Sequence, residues 1–448
     1  MTSRPAASRG TAPIGTAPIA SDRFVPAPIT RLQDTGLTDY SLVELSLKLL
    51  YSSGVLTGYR VSELMCLPYT GIVDEILAYL KAEKLVEVKG AGGIGEGAYQ
   101  YAITGAGIAR AREAASRNEY AGPAPVPVDV YNAAIKKQAT SRTQVTQRVM
   151  RQSLSNLVIS EKTLARIGPA ANSGSSLFLY GAPGNGKTSI ARAIGRMILG
   201  EEMYIPYAVD VDGQIIKVFD SVNHEPIRED DASAPGMRAA TSTKRDPRWV
   251  KIKRPFIVVG GELTMAGLDL QFDEVNKYYE APFQMKANGG MFLIDDFGRQ
   301  LVRPRDLLNR WIVPLENRID FLTLHNGRKL EIPFEVLVVF STNLPPRDLV
   351  DEAFLRRIRH KIEIIDPSYE EFKEIFKRVC DAKKVVFDDK GLAYLLQEWY
   401  IKRNRKLRSN HPRDIIEQLL DVAGFLTVEP ALTKELLDRA CESYFVEL

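Results

Sequence analysis

Eight residues, Gly181-Ala-Pro-Gly-Asn-Gly-Lys-Thr188, follow the apolar run LFLY and open the amphipathic run TSIARAIGRMIL. Their spacing suits a phosphate chain. Glycines let the backbone wrap tightly so that successive N–H groups point inward, the Lys187 ammonium reaches the β and γ phosphates of a nucleotide, and the Thr188 hydroxyl ligates Mg²⁺. A strand before and a helix after make this pattern a P-loop (Walker A motif) rather than a glycine turn. Gly181, Pro183, Gly184, Asn185, Gly186, Lys187 and Thr188 are therefore the candidate ATP-binding residues.

A second run, Met291-Phe-Leu-Ile-Asp295-Asp296, is apolar until it ends in two acids. A buried parallel strand would deliver both carboxylates to the sheet edge where the P-loop lies. Asp295 is then placed to hold Mg²⁺ through its water shell, and Asp296 to orient or deprotonate an attacking water.

Positioning these groups takes an alternation of strands and helices, which runs from Leu157 to about Pro367 and predicts an α/β domain with a parallel sheet over 157–367. After Asp366 the apolar residues recur at helical spacing, with Ser368 and Glu371 forming a capping box, so 368–448 is expected to be a helical lid. Residues 1–35 are rich in Pro, Ala, Ser and Thr, include the repeat TAPIGTAPIA and read as a disordered tail. Residues 36–120 read helix, helix, helix, hairpin, the order of a winged helix, giving a small α+β domain. GPAPVPV at 122–128 has the composition of an extended linker, and 121–156 is read as linker and helix.

The P-loop, the acidic strand, FSTN at 340–343, DEAFLRRIRHKIEI at 351–364 and HPRDII at 411–416 occur in the order of an AAA+ ATPase, which the chain resembles from Leu157 to its C-terminus. The resemblance implies an Mg²⁺-dependent ATP hydrolase assembled as a homo-oligomeric ring. It implies that Asn343 is the sensor 1 residue, that Arg356 or Arg357, preferably Arg357, is a finger given to the neighbouring subunit, and that Arg413 is the sensor 2 arginine. Pro412 favours a first helical turn, so Arg413 would project from a helix start. The family usually has Asp-Glu at the acidic strand (Walker B), and here the second acid is one methylene shorter. Glu262, after FIVVGG, matches the place of a residue that restrains the catalytic acid or shares its task.

FLTL-HNGR-KLEI, between Asp320 and Pro333, reads as two strands about an Asn326-Gly327 turn. It resembles the pre-sensor-1 hairpin of the branch that includes MoxR-like ATPases. A second stretch, about Met203 to Arg254, contains another hairpin, YAVDVDGQIIKVF, and reads more readily as a solvated insertion than as a partner contact.

Composition excludes several alternatives. Lys and Arg number 59 against 56 Asp and Glu, a net charge of +3 that does not mark a polyanion-binding protein. Cys66, Cys380 and Cys441 form no CxxC pair, and the four histidines show no metal-ligand spacing. No apolar run approaches the ~18 residues of a membrane helix, and no signal peptide is read at the start, so the protein is expected to be cytoplasmic. Residues 36–120 hold eight Lys and Arg against ten Asp and Glu, and the third helix begins near Asp74 and Glu75. Phosphates would be repelled there, which favours a protein partner remodelled by ATP hydrolysis. Lys136, Lys137, Arg142, Arg148 and Arg151 keep a nucleic-acid partner, and so a DNA-associated motor or regulator, as the alternative. A nucleotide-gated scaffold with little hydrolysis is the third reading, because Asp296 is short.

Overall fold

The computed structural model describes residues 24–140, 145–198, 202–227, 245–349 and 352–445. Most of the tail read at 1–35, and Arg142 of the basic stretch, lie outside them. Five strands form the central sheet: β1 Leu177–Tyr180, β2 Phe256–Val259, β3 Met291–Ile294, β4 Leu337–Thr342 and β5 His360–Glu363. Their order across the sheet is β2-β3-β4-β1-β5, and every pairing is parallel.

Alternation along each strand divides the side chains between two cores. Leu177, Leu179, Leu293, Val339 and Ile362 pack on one face with Ile190 and Ile194. Phe178, Phe292, Val338 and Phe340 pack on the other with Phe297 and Trp311. Burial on both faces is why these strands read as continuous apolar runs. β1 lies between β4 and β5, so the loop after β1 sits where the chain order reverses, which is where open α/β sheets bind ligands.

The N-terminal domain contains α1 Asp39–Ser53, α2 Gly58–Met65 and α3 Asp74–Ala82, followed by antiparallel strands Val86–Ala91 and Tyr99–Ile103. Thr38, Thr57 and Thr104 accept the capping bonds that start α1, α2 and a further helix, α4 Gly105–Arg117. The Pro-rich stretch expected as a linker does more than connect. Val126–Pro127 joins a second sheet as an edge strand, where a missing proline N–H costs no ladder bond, and α5 Val128–Thr140 follows at once.

The insertion after α6 Lys187–Ile198 also differs from a solvated excursion. Its hairpin, Ala208–Val211 with Gln214–Lys217, turns through Asp212 and Gly213 at φ 49° and 83° and lies inside that second sheet. Ile205, Val209 and Ile216 pack against Tyr131 and Ile135 of α5 and against Leu322, Leu330 and Ile332. The last three belong to the hairpin Ile319–Thr323 with Lys329–Pro333, whose register runs Thr323 opposite Lys329. Among the described residues of the insertion, the 208–217 hairpin is covered because its alternating apolar face meets the apolar face of the 319–333 hairpin.

The C-terminal lid contains α7 Tyr369–Lys383, α8 His411–Leu426 and α9 Lys434–Tyr444 around Phe372, Phe376, Ile415 and Leu437. Both halves of the expected capping box, Ser368 and Glu371, are made.

Asp320, fully buried at the base of the 319–333 hairpin, accepts from Arg310 Nη1 at 2.5 Å and Gln284 Nε2 at 2.9 Å. Asp320→Ala is expected to destabilise the fold by about 3–5 kcal/mol, because Arg310 keeps a partly buried charge without a partner. Urea unfolding checks this, and a loss under about 1 kcal/mol would show that the pair is not structural.

Candidate active site

The loop between β1 and α6 takes its shape from glycine. Gly181 has φ 140°, and a Cβ there would lie 2.3 Å from the Ile364 carbonyl oxygen. At Gly184, with φ 83°, a Cβ would meet the Asn410 side chain at 2.0 Å. Backbone bars any side chain at Gly181, and at Gly184 the positive φ favours glycine.

Lys187, only 7% exposed, sits under this loop. Its Nζ donates to the carbonyls of Gly181 at 3.0 Å and Ala182 at 2.9 Å, and to Asn343 Oδ1 at 2.7 Å. Burial pulls its ammonium below the ordinary lysine range, and the charges of Asp296 and Asp295 oppose that fall. Asn343, just past the end of β4, donates in turn through Nδ2 to Asp296 Oδ1 at 3.2 Å. A chain of hydrogen bonds thus runs from the P-loop lysine through the sensor candidate to the second acid.

Beside it, Thr188 Oγ1 donates to Asp295 Oδ2 at 2.8 Å. Among the described residues no cluster of three or more His, Cys, Asp or Glu could hold a metal alone. A hydroxyl and a carboxylate in contact nevertheless fit Mg²⁺, a hard cation that takes few protein oxygens and completes its shell with water and phosphate.

Asp296 has φ 49°, an uncommon conformation for a residue with a Cβ. The turn is held there by three bonds of 2.7 Å: Phe297 N–H to Ser341 O, Thr342 Oγ1 to Phe297 O, and Gln300 Nε2 to Asp295 O. The strain therefore aims the short acid from a fixed base.

A cleft of about 650 Å³ joins these groups to the lid. Arg413, in the first turn of α8 after Pro412, lines it, and its guanidinium holds the Asp414 carboxylate at 3.0 Å. Leu157 and Val158 from the segment before the sheet, and Ile375 and Val379 from α7, supply apolar lining suited to a flat ring.

The other candidates lie elsewhere in the chain. Glu262 is exposed, accepts from Gly260 N–H at 2.9 Å, and has a carboxyl held below its usual range by that bond and by its own N–H. It does not line the cleft. Arg356 pairs with Glu352 at 3.1 Å and Arg357 with Glu316 at 2.6 Å, and neither lines the cleft of its own chain.

One cluster escaped the sequence reading. Asn185 Nδ2 donates to Asp366 Oδ1 at 2.7 Å, and Arg408 pairs with the same oxygen. Asn410 N–H donates to the Gly184 carbonyl at 2.9 Å. The lid loop 408–410 thus holds the P-loop directly. The available signals were an acid at the crossing from sheet to lid and a basic run, KRNRKLR, but partners 181 positions apart are not legible from spacing.

Residues 368–443, most of the lid, match the family model of a domain of unknown function, DUF8689. No curated protein matches the chain. Among solved structures, NtrX from Brucella abortus is similar at a TM-score of 0.39 and 14% identity, over 66% of this chain and 57% of that one. NtrX in complex with ADP gives 0.37 and 14% identity, over 73% and 64%. The chain thus spans less than two thirds of the length of NtrX. The RuvB Holliday junction branch migration motor of Thermotoga maritima gives 0.34 and 14% identity, over 68% and 71%. Likeness at this level decides no function, which has to rest on the site itself.

His411 opens α8 with its ring against Tyr400, whose hydroxyl lies 2.9 Å from Nδ1. Burial, with Arg408 and Arg405 nearby, pushes its pKa from 6.5 down to about 4. The folded ring stays neutral where the unfolded chain takes up a proton. Its contribution to stability is therefore complete above pH 6.5 and is lost as pH falls from 6.5 towards about 4. His411→Gln is expected to flatten the dependence of lid stability on pH across that window, measured by urea unfolding. An unchanged slope would assign the effect to other groups.

Proposed function

We propose that this protein is an ATPase of the AAA+ type, binding Mg²⁺·ATP in the cleft between P-loop and lid and hydrolysing it to remodel a protein partner. The observation that carries the reading is the hydrogen-bonded series Lys187, Asn343, Asp296 beside the Thr188–Asp295 pair.

Lys187 exchanges its loop carbonyls for the β and γ phosphate oxygens, and the loop N–H groups take the rest of the chain. Thr188 and Asp295 would hold Mg²⁺, which supplies charge neutralisation at those oxygens. Asn343, freed from Lys187 by the same exchange, turns its carbonyl oxygen to the attacking water while its amide keeps Asp296 in place. Asp296 accepts the proton of that water. Arg413 meets the γ phosphate when the lid closes, at the cost of its contact with Asp414. Arg357, or Arg356, reaches the site of a neighbouring subunit in a homo-oligomeric ring. Glu262 has its carboxylate turned to its own backbone and restrains Asp296 only if that bond breaks.

Protein rather than nucleic acid is favoured as the partner by the N-terminal domain. Its acids outnumber its cations by ten to eight, and Arg60, Lys89 and Arg117 are already paired with Glu63, Glu87 and Glu44, which weakens the case for a phosphate backbone.

Lys187→Ala is expected to abolish ATP binding, whereas Asp296→Asn should keep Mg²⁺·ATP affinity and lose turnover, by ~10²-fold or more as for other lost proton acceptors. Nucleotide titration and steady-state phosphate release measure both. Undiminished turnover in Asp296→Asn would remove Asp296 from the mechanism, and negligible turnover in the unaltered protein would favour the nucleotide-gated scaffold.

Arg357→Ala should leave nucleotide affinity intact and lower phosphate release by ~10³-fold if the finger acts between subunits. Mixed with Lys187→Ala subunits, which bring an intact finger, it should regain activity. No recovery in oligomers shown to be mixed would count against an exchanged arginine.

A further inference from the structure

On the N-terminal domain, away from the nucleotide cleft, α1 and α3 border a groove of about 610 Å³. Its floor is apolar, built from Leu32, Val43, Ile76 and Leu85. Two tyrosine rings stand at its edge, Tyr40 and Tyr79, 47% and 53% exposed. Asp39, Glu75, Glu83 and Arg110 complete the lining.

These three carboxylates, like Asp74, Glu96 and Glu119 of the same domain, are in no ion pair among the described residues, and they alone of these line the groove. Glu44, Glu63, Glu87 and Glu113 are all in ion pairs with Arg117, Arg60, Lys89 and Arg110. Among the described residues no cation lies within 4.0 Å of the carboxylates of Asp39, Glu75 or Glu83. Arg110, the one cation lining the groove, leans over the Tyr40 ring at 5.3 Å and towards Glu113 at 3.7 Å. The groove therefore offers apolar and aromatic surface under uncompensated negative charge, and its complement is a basic segment carrying small apolar residues.

The chain itself has such a segment. Residues 1–23 contain Arg4, Arg9 and Arg23 against one acid, Asp22, and carry the Pro-Ile pairs 13–14 and 18–19. The described chain starts at Phe24, which packs edge-on against Trp249, continues through the buried Ile29, and reaches Leu32 in the groove lining. The segment is thus anchored eight residues from the groove, and 23 residues extend up to about 75–80 Å. A tether of that length holds it at an effective concentration on the order of millimolar, so a weak contact suffices for occupancy.

We propose that the groove between α1 and α3 is the docking site of this chain's own residues 1–23, with Arg4 and Arg9 against Asp39, Glu75 and Glu83 and the Pro-Ile pairs on the two tyrosines.

The test uses the full chain bearing Arg4→Glu and Arg9→Glu, whose own tail no longer competes, titrated with a fluorescein-labelled synthetic peptide of residues 1–23 and read by anisotropy. Saturable binding is expected, weaker by about ten-fold when Glu75→Lys and Glu83→Lys are added, and weaker again in high salt. Glu75→Gln with Glu83→Gln serves as a milder pair should charge reversal disturb folding, and is expected to give an intermediate loss. The chain with its natural tail should bind the peptide less well than the Arg4/Arg9 variant, because its groove is already filled. No saturable binding, or equal affinity with and without the groove carboxylates, overturns the proposal. So does a concentration-dependent self-association that needs Glu75 and Glu83 but not Arg4 and Arg9, which would assign the groove to a second copy instead. ATP turnover enters none of these readouts, so their failure leaves the nucleotide site untouched.

Discussion

A charged ammonium that meets solvent over only 7% of its surface has to be paired, and Lys187 finds three partners on two different elements. Two are carbonyls of the loop that carries it, and the third is Asn343, past the end of β4. Asn343 in turn reaches the turn after β3 through Asp296. The requirement to satisfy one buried cation therefore fixes the relative positions of β1, β3 and β4 at their carboxyl ends. Parallel pairing makes this possible, since all five strands present the same end to the same side. It also places Thr188 against Asp295, which is what a hard divalent cation needs.

The lid is coupled to the same loop by a second set of polar contacts. Asp366 serves Asn185 and Arg408 together, and the Asn410 N–H bonds Gly184. Any change in the shape of this loop must alter these contacts, so the helical C-terminal region is mechanically linked to it. On the opposite side, Arg248, 2% exposed, donates to the carbonyls of Thr35 and Pro125 and binds Asp246. That one guanidinium joins the segment just before α1, the Pro-rich stretch and the insertion, whose hairpin packs on the 319–333 hairpin through Leu322, Leu330 and Ile332. The N-terminal groove and the nucleotide cleft therefore belong to one continuous set of packed elements.

Much of the candidate site is legible in the sequence because the chemistry proposed for it is local. The P-loop needs glycines where backbone approaches backbone, as at Gly181, followed by a lysine and a hydroxyl at fixed offsets, and the sequence states all of that within eight residues. The apolar runs that end in Asp295 and precede Asn343 likewise announce buried parallel strands, and Ser368 with Glu371 announces a helix start. Each of these signals depends on neighbours no more than a few residues away.

Contacts between distant segments were decided only in three dimensions. Val126–Pro127 became an edge strand because Ala208–Val211 lay beside it, and the 208–217 hairpin was buried because a hairpin more than a hundred residues later offered a matching apolar face. Glu262 turned to its own backbone, and Asp366 became the link between P-loop and lid, for the same reason: a carboxylate takes whichever donors the fold brings near. Composition and spacing fix which groups can do chemistry and which elements can form. Which of those groups meet depends on how apolar faces hundreds of residues apart are buried against each other, and that is a property of the packed chain alone.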